Sequence, residues 1–249
     1  MLTPFDHAFA LVLLVLFPAR SALYGYRRLQ NAAPDALAKV RVSVYRGAMI
    51  TQWALAAIAT GLWAWSHRPW RELGLIPLVS AGLIGVLGGL AVGAFVVVRQ
   101  RISGPPDQRS IDAVRRRSAH FELLMPRTPG ELRMFYLLSV TAGLCEEFLY
   151  RGWLIWYLQA LGLALIPAAL VSSLIFGLGH LYQGLRGIAL TSLVGGFLAA
   201  VYLVSGSLYA GMLLHGLMDA YSGQLLYTVY SREDATARAI AVHTRESDA

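Results

Sequence analysis

An all-α, polytopic transmembrane bundle of about seven helices is the fold this sequence predicts, and three observations predict it. Of its 249 residues 57% are hydrophobic and 14% charged, with a mean hydropathy of +0.55, which is too apolar for a water-soluble domain of ordinary composition. The apolar residues come in blocks of roughly 17 to 25, the length a helix rising ~1.5 Å per residue needs to cross a hydrocarbon core. The blocks are continuous rather than alternating, which excludes an outer-membrane barrel.

The first block, 8–25, follows Met1 to His7 without a positive residue and lacks a small-residue cleavage site. It therefore reads as a retained helix, shortened or kinked by Pro18 and Arg20. Further spans are expected at 47–66, 74–98, 134–160, 163–182, 186–204 and 207–228. The loop between the first two carries Arg27, Arg28, Lys39, Arg41 and Arg46 against Asp35, and the loop after the second carries Arg68, Arg71 and Glu72. The segment 99–133 is rich in arginine, including Arg115, Arg116 and Arg117. By the positive-inside rule both strongly basic loops are cytoplasmic, which puts the N-terminus outside and the tail 231–249 inside.

The expected organisation is therefore N-terminal helices and a basic cytoplasmic loop over 1–130, a helical core over 131–230 and a cytoplasmic tail over 231–249. Within the basic loop, Gly104, Pro105 and Pro106 break any helix, and 103–130 reads as a solvated segment whose arginines set topology. The formal charge of +7 does not indicate nucleic acid, because the basic residues are confined to the segments between apolar blocks. A single cysteine, Cys145, excludes an internal disulfide and any multi-cysteine metal cluster, and it reads as a small packing residue.

Ionisable side chains inside a membrane helix cost on the order of 2.5 to 3.5 kcal/mol each, so each needs a reason. In the later helices they are Glu146, Glu147, Arg151, His180, His215 and Asp219. Glu147 and Arg151 are four apart, as are His215 and Asp219, and Phe176 and His180 repeat the spacing. Residues four apart share a helix face, so each pair can touch. Polar groups turn away from lipid, and all six are expected to meet in one cavity open to the cytoplasm. Two neighbouring glutamates in low dielectric do not both ionise easily. If Arg151 holds Glu147 charged, Glu146 is left to exchange a proton near neutral pH, as a general base must. Other readings of the cluster are structural packing in a non-catalytic immunity or scaffold protein, or a proton relay in a transporter.

The segment Glu146-Glu147-Phe148-Leu149-Tyr150-Arg151 reads E-E-x-x-x-R. It is followed by F-x-x-x-H at Phe176 to His180 and H-x-x-x-D at His215 to Asp219. In that order on successive late helices, the motifs resemble the CPBP (Abi) family of intramembrane proteases, which includes the type II CAAX prenyl endopeptidases. The resemblance covers about Leu132 to Tyr227. It implies an endopeptidase in which Glu146 and His180 activate the attacking water, Glu147 and Arg151 brace the site, and His215 with Asp219 stabilises the oxyanion. Asp219 stands where the CAAX endopeptidases carry asparagine. An ionised aspartate cannot donate a hydrogen bond, so Asp219 is expected either to be protonated or to orient His215.

The expected partners are a membrane-associated peptide or protein substrate and the lipid bilayer, in a bacterial inner (plasma) membrane. No cofactor is favoured: zinc could in principle sit among two histidines and two glutamates, yet no H-E-x-x-H is present. The aromatic residues Phe148, Tyr150, Trp153, Trp156 and Tyr157 read either as lining for a lipid-like groove or as interfacial anchors.

Overall fold

The computed structural model describes residues 2–20, 25–75 and 108–247. The expected span 74–98 lies almost wholly outside the described residues, as does the break at 104–106. Among the described residues the protein is helical throughout, with no strand.

The first expected span begins with α1 (Pro4–Leu11), whose N-terminus carries a capping box between Thr3 and Asp6. It then widens into a π turn over Val12–Leu16 before α2 (Phe17–Arg20). The wide turn falls just ahead of Pro18, a residue that cannot continue the normal helical hydrogen-bond ladder. After α3 (Arg27–Gln30), α4 runs from Leu37 to Trp65. It therefore starts ten residues before the apolar block, and Lys39, Arg41 and Arg46 lie on this helix rather than in a loop. Arg41 is buried because Glu131 neutralises it at 2.5 Å and the Leu123 carbonyl accepts from its Nε at 2.8 Å.

Part of the expected solvated loop is also helical, as α5 (Gln108–Ser118) and a 3₁₀ segment over Ala119–Leu124. Ser118 is buried against Tyr230, with 2.7 Å between their hydroxyls, and Met125 packs with Tyr45 and Phe135. The expected span 134–160 is one continuous helical rod: α6 (Pro129–Glu146), a π-helical stretch over Glu147–Leu154, and α7 (Ile155–Ala160). Thr128, Pro129 and Glu131 start it with a capping box and a proline in the first turn. Then come α8 (Leu165–Leu178), α9 (Gly184–Ser205) and α10 (Leu208–Ser247). The last helix continues through the residues expected as a tail.

Helix α4 runs parallel to α6, with Arg41 opposite Glu131 and Tyr45 against Phe135. Helix α10 runs antiparallel to α6. Gly143 marks their close approach, since a Cβ there would come within 2.6 Å of the Met212 carbonyl and 2.8 Å of the Gly216 nitrogen. Small residues allow this backbone-to-backbone packing. Gly177 of α8 packs against Ile188 and Ser192 of α9 in the same manner.

The surface is apolar where that of a water-soluble protein is polar, and a charged cluster is buried within the core. Ile166, Leu170, Leu174 and Leu178 form an exposed stripe at every fourth position of α8, and Leu185 on α9 is 86% exposed. Glu146, Glu147, Arg151 and His215 are buried instead. Among the described residues two helical stretches, Leu37–Trp65 and Leu181–Ser205, are long and apolar enough to cross a membrane by length and composition, and Leu165–Leu178 is a shorter apolar helix. Outward apolar stripes with ionisable groups turned inward are what lipid as the surrounding solvent requires.

The bundle has two ends. At one, Arg41 meets Glu131 and the Tyr26 hydroxyl donates to the His120 carbonyl at 2.5 Å. At the other, the Leu208 amide donates to the Gly74 carbonyl and His7 Nδ1 lies 2.8 Å from the Tyr157 hydroxyl. Asp6 also takes two hydrogen bonds there from the Arg68 guanidinium, at 2.8 and 2.6 Å. Arg68 is thus a buried structural cation stacked 4.3 Å over the Trp156 ring, and not the loop charge that its sequence position suggested. Tyr150, Trp153 and Tyr157 are equally interior: Trp153 stacks on Tyr157 at 5.1 Å and packs edge-on against Phe9. These aromatic rings fill the core and neither face lipid nor line a groove.

Candidate active site

Helix α6 delivers Glu146 at its last turn, where the backbone passes into the π-helical stretch. The wider i→i+5 turn advances each residue through less than the ~100° of an α-helix, and such bulges recur at functional sites. Adjacent Glu146 and Glu147 can therefore both point into the bundle, and both are buried. They face different neighbours.

Glu147 sits in a buried polar cluster in which its Oε1 is the shared acceptor and its Oε2 has no partner. Its Oε1 accepts from Arg151 Nη1 at 2.9 Å and lies 2.8 Å from His215 Nδ1. Arg151 Nη2 donates in turn to the Gly195 carbonyl of α9 at 3.0 Å, and the guanidinium lies 4.4 Å over the Phe176 ring. Phe176 also packs edge-on against Tyr150 and His215 and lies 5.0 Å from the His180 ring. One aromatic side chain thus contacts Tyr150 and Arg151 of the π-helical stretch, His215 of α10, and His180 in the turn that follows α8. A carboxylate bonded to Arg151 acts as acceptor, so His215 Nδ1 donates to it. His215 Nε2 is left within 3.9 Å of Glu146 Oε2 and 3.7 Å of Asp219 Oδ2.

Glu146 belongs to a second layer. Its Oε1 accepts from the Gln52 side-chain amide of α4 at 2.6 Å, while its Oε2 is buried without a hydrogen-bond partner in the protein. Glu146 lines a cavity of about 830 Å³ together with Gln52, His180, Tyr182 and Asp219. The cavity extends to Tyr26, His120 and Arg186, at the end of the bundle that carries the Arg41–Glu131 pair. His180 Nδ1 lies 2.9 Å from the Phe176 carbonyl, which can only accept, so this nitrogen is the donor and Nε2 is the basic one.

All six ionisable residues expected at the site therefore come together, in two layers. Glu146, His180 and Asp219 line the cavity, whereas Glu147, Arg151 and His215 lie behind it. Asp219 approaches His215 no closer than 3.7 Å, and it is Glu147 that holds the His215 ring. Cys145 is buried among apolar side chains and does not line the cavity. Gln52 and the Gly195 carbonyl are site groups that sequence reasoning missed. A backbone carbonyl leaves no signal in a sequence, but a lone amide within the apolar run of α4 does, because a buried amide in lipid needs a partner.

Among the described residues, no three histidine, cysteine, aspartate or glutamate side chains converge to hold a metal ion. The Nδ1 atoms of both histidines and Oε1 of both glutamates are already committed to protein groups. That leaves Nε2 of each histidine and Oε2 of Glu146 without a hydrogen bond to the protein.

Residues 128–221 match the family described as type II CAAX prenyl endopeptidase Rce1-like. No curated protein and no solved structure matches the chain. The match begins at the cap of α6 and ends just after Asp219, so it contains E-E-x-x-x-R, F-x-x-x-H and H-x-x-x-D and leaves α4 outside.

Proposed function

We propose, from the premise that residues 128–221 are an Rce1-like segment of the CPBP intramembrane protease family, that this chain is an endopeptidase acting on membrane-associated peptides with a water activated by Glu146 and His180. The family is an integral-membrane one and implies a peptide hydrolase. The observation that carries the finer reading is the buried, unpartnered Oε2 of Glu146, beside a histidine whose tautomer leaves Nε2 basic, in a cavity large enough for an extended peptide.

In this mechanism a water lies between Glu146 Oε2 and His180 Nε2. Glu146 takes its proton as the oxygen attacks the scissile carbonyl carbon, and then passes that proton to the departing amine. The developing oxyanion is met by Asp219 in its protonated form, with the His215 ring behind it. Glu147 and Arg151 do not touch the reacting atoms. They fix the His215 ring and tie the π-helical stretch to α9 through Gly195.

In this reading Glu146 and His180 act on the water directly, and no step runs through a metal. Stoichiometric zinc in purified protein, lost together with activity on chelation, would overturn this part of the mechanism.

Seven spans with the N-terminus outside fit the two ends of the bundle, because the cavity then opens on the side of the basic loops. A bacterial inner membrane is the setting proposed. The substrate to test first is a prenylated CAAX-type peptide, since Leu138, Leu190, Leu225 and Phe121 supply apolar lining that suits an isoprenoid chain. The test is cleavage of a fluorogenic prenylated peptide by detergent-purified protein beside Glu146→Gln and His180→Ala. Cleavage by the parent and by neither variant supports the enzyme and both roles. If the variants cut as well as the parent, the mechanism is wrong. If nothing is cut, comparing membrane peptides in cells carrying the parent or Glu146→Gln separates another substrate from a non-catalytic scaffold.

A further inference from the structure

Helix α4 lies outside the matched segment, yet it makes the one hydrogen bond that Glu146 receives from another side chain among the described residues. Gln52 stands in the apolar stretch of α4 and is buried to the same degree as Glu146. An amide in such surroundings is costly unless bonded, and Gln52 spends its N–H on Glu146 Oε1 at 2.6 Å. The register that brings it there is set by Arg41 on Glu131 at one end of the contact and by Trp53 Nε1 donating to Thr141 at 3.3 Å further along. The amide oxygen of Gln52 has no partner in the protein, so its donor is the half of the side chain in use.

We infer that Gln52 is a positioning residue for the proton transfer: by occupying Oε1 of Glu146, its amide fixes Oε2 as the atom that receives the proton and favours the ionised carboxylate that a base needs. This inference rests on the reading of Glu146 as general base. A carboxylate with both oxygens free can rotate and take up the proton on either; one held by an N–H donor cannot turn without breaking that bond. Donation to the carboxylate also stabilises its charged form over its protonated one. The α4–α6 contact thus sets both the direction and the pH of the transfer. Helix α4 supplies a working part of the site although none of the three motifs lies on it.

The experiment compares the parent, Gln52→Leu, Gln52→Glu and Glu146→Gln. Two readouts are taken for each: the pH dependence of kcat and KM, and an infrared titration of the Glu146 carboxyl that needs no substrate. Gln52→Leu keeps the bulk and removes the donor. Its kcat should fall about 10- to 100-fold at neutral pH with KM within about twofold, and its acidic limb should move up by about one pH unit. Gln52→Glu should be impaired at neutral pH, where two carboxylates oppose each other. It should recover as the pH falls and the new carboxyl gains a proton to donate, a rescue that loss of folded protein alone cannot produce.

If both variants keep the parent's pH profile and infrared titration, Gln52 only fills space and the inference is overturned while the base assignment stands. Activity in Glu146→Gln overturns the base assignment itself. In that case a titration that moves in Gln52→Leu supports the contact between the two side chains, and an unmoved one overturns that as well.

Discussion

Replacing Gly143 by alanine tests whether the site depends on how closely α6 and α10 approach. A Cβ at 143 would sit 2.6 Å from the Met212 carbonyl oxygen, 2.8 Å from the Gly216 nitrogen and 3.0 Å from its Cα. These are backbone atoms, which cannot swing aside as a side chain does, and the closest falls about 1 Å short of an ordinary ~3.5 Å contact. The helices must separate or slide by roughly that amount. One turn along, the same interface holds the 2.8 Å contact between Glu147 and His215 Nδ1, and an added ~1 Å takes it beyond hydrogen-bonding distance. Overpacking should cost about 1–3 kcal/mol of stability, and a ~1 Å misplacement at the reacting groups about 10²-fold in kcat. Gly61→Ala is the matched control, because a Cβ at this α4 position meets nothing within 4 Å; it should be neutral or slightly stabilising. The assays are thermal unfolding in detergent and peptide cleavage on the same preparations. Gly143→Ala protein with the parent's unfolding temperature and kcat would falsify the claim that this contact holds His215 in place.

Arg151→Met leaves Glu147 buried without its cation and should destabilise the fold by roughly 3–5 kcal/mol, whereas Arg151→Lys, which keeps the charge but loses the two-sided grip on Glu147 and Gly195, should lose less; denaturation midpoints compare them. Asp6 lies in the first turn of α1, at the end of the bundle and ahead of the apolar block 8–25. Burial alone would raise its carboxyl pKa, but hydrogen bonds from Arg68 and Thr3 outweigh that and hold it below the ordinary aspartate value. Its contribution is therefore fully present above about pH 4 and disappears as the pH falls through the lower folded value, so the stability gap between parent and Asp6→Asn should be largest near neutral pH and close on acidification. A gap that is constant with pH would refute the ion pair's role. Asp219→Asn supplies a permanent N–H donor where a protonated carboxyl is proposed, so cleavage should persist and decline less at alkaline pH; a loss of 10²-fold or more would mean that the carboxylate itself is needed.

The six ionisable residues were legible in the sequence because lipid makes each of them expensive, and the four-residue spacings Glu147–Arg151 and Phe176–His180 both become contacts. The two-layer arrangement was not legible. Helical periodicity separates consecutive residues by ~100° and gives no sign that the backbone widens at Glu147, the feature that turns both glutamates inward. Loop cations were harder still. Arg41 and Arg68 carry the same charge signal as a topology-setting arginine, and only the positions of Glu131 and Asp6, 90 and 62 residues away in the chain, show that both are buried structural partners. Counting positive charges per loop therefore overstated the free basic charge, although Tyr26 and Arg41 do meet His120 and Leu123 at one end of the bundle.

Gln52 extends the same argument to a neutral residue. Charge made the motif residues conspicuous, whereas an amide raises no alarm on a hydropathy scale although it carries two donors and an acceptor that lipid cannot satisfy. The proposed mechanism needs a carboxylate held in one orientation, and nothing within 128–221 hydrogen-bonds Glu146 through a side chain among the described residues. The donor comes from α4, whose register is fixed at the basic end of the bundle by the buried Arg41–Glu131 pair. Glu131 also caps α6, accepting from the Thr128 and Arg127 backbone amides at 2.9 and 2.7 Å. One carboxylate therefore starts the helix that carries Glu146 and anchors the helix that orients it. Weakening that anchor with Arg41→Met should change the pH dependence of cleavage in the same direction as Gln52→Leu, although Arg41 touches nothing in the active-site layer.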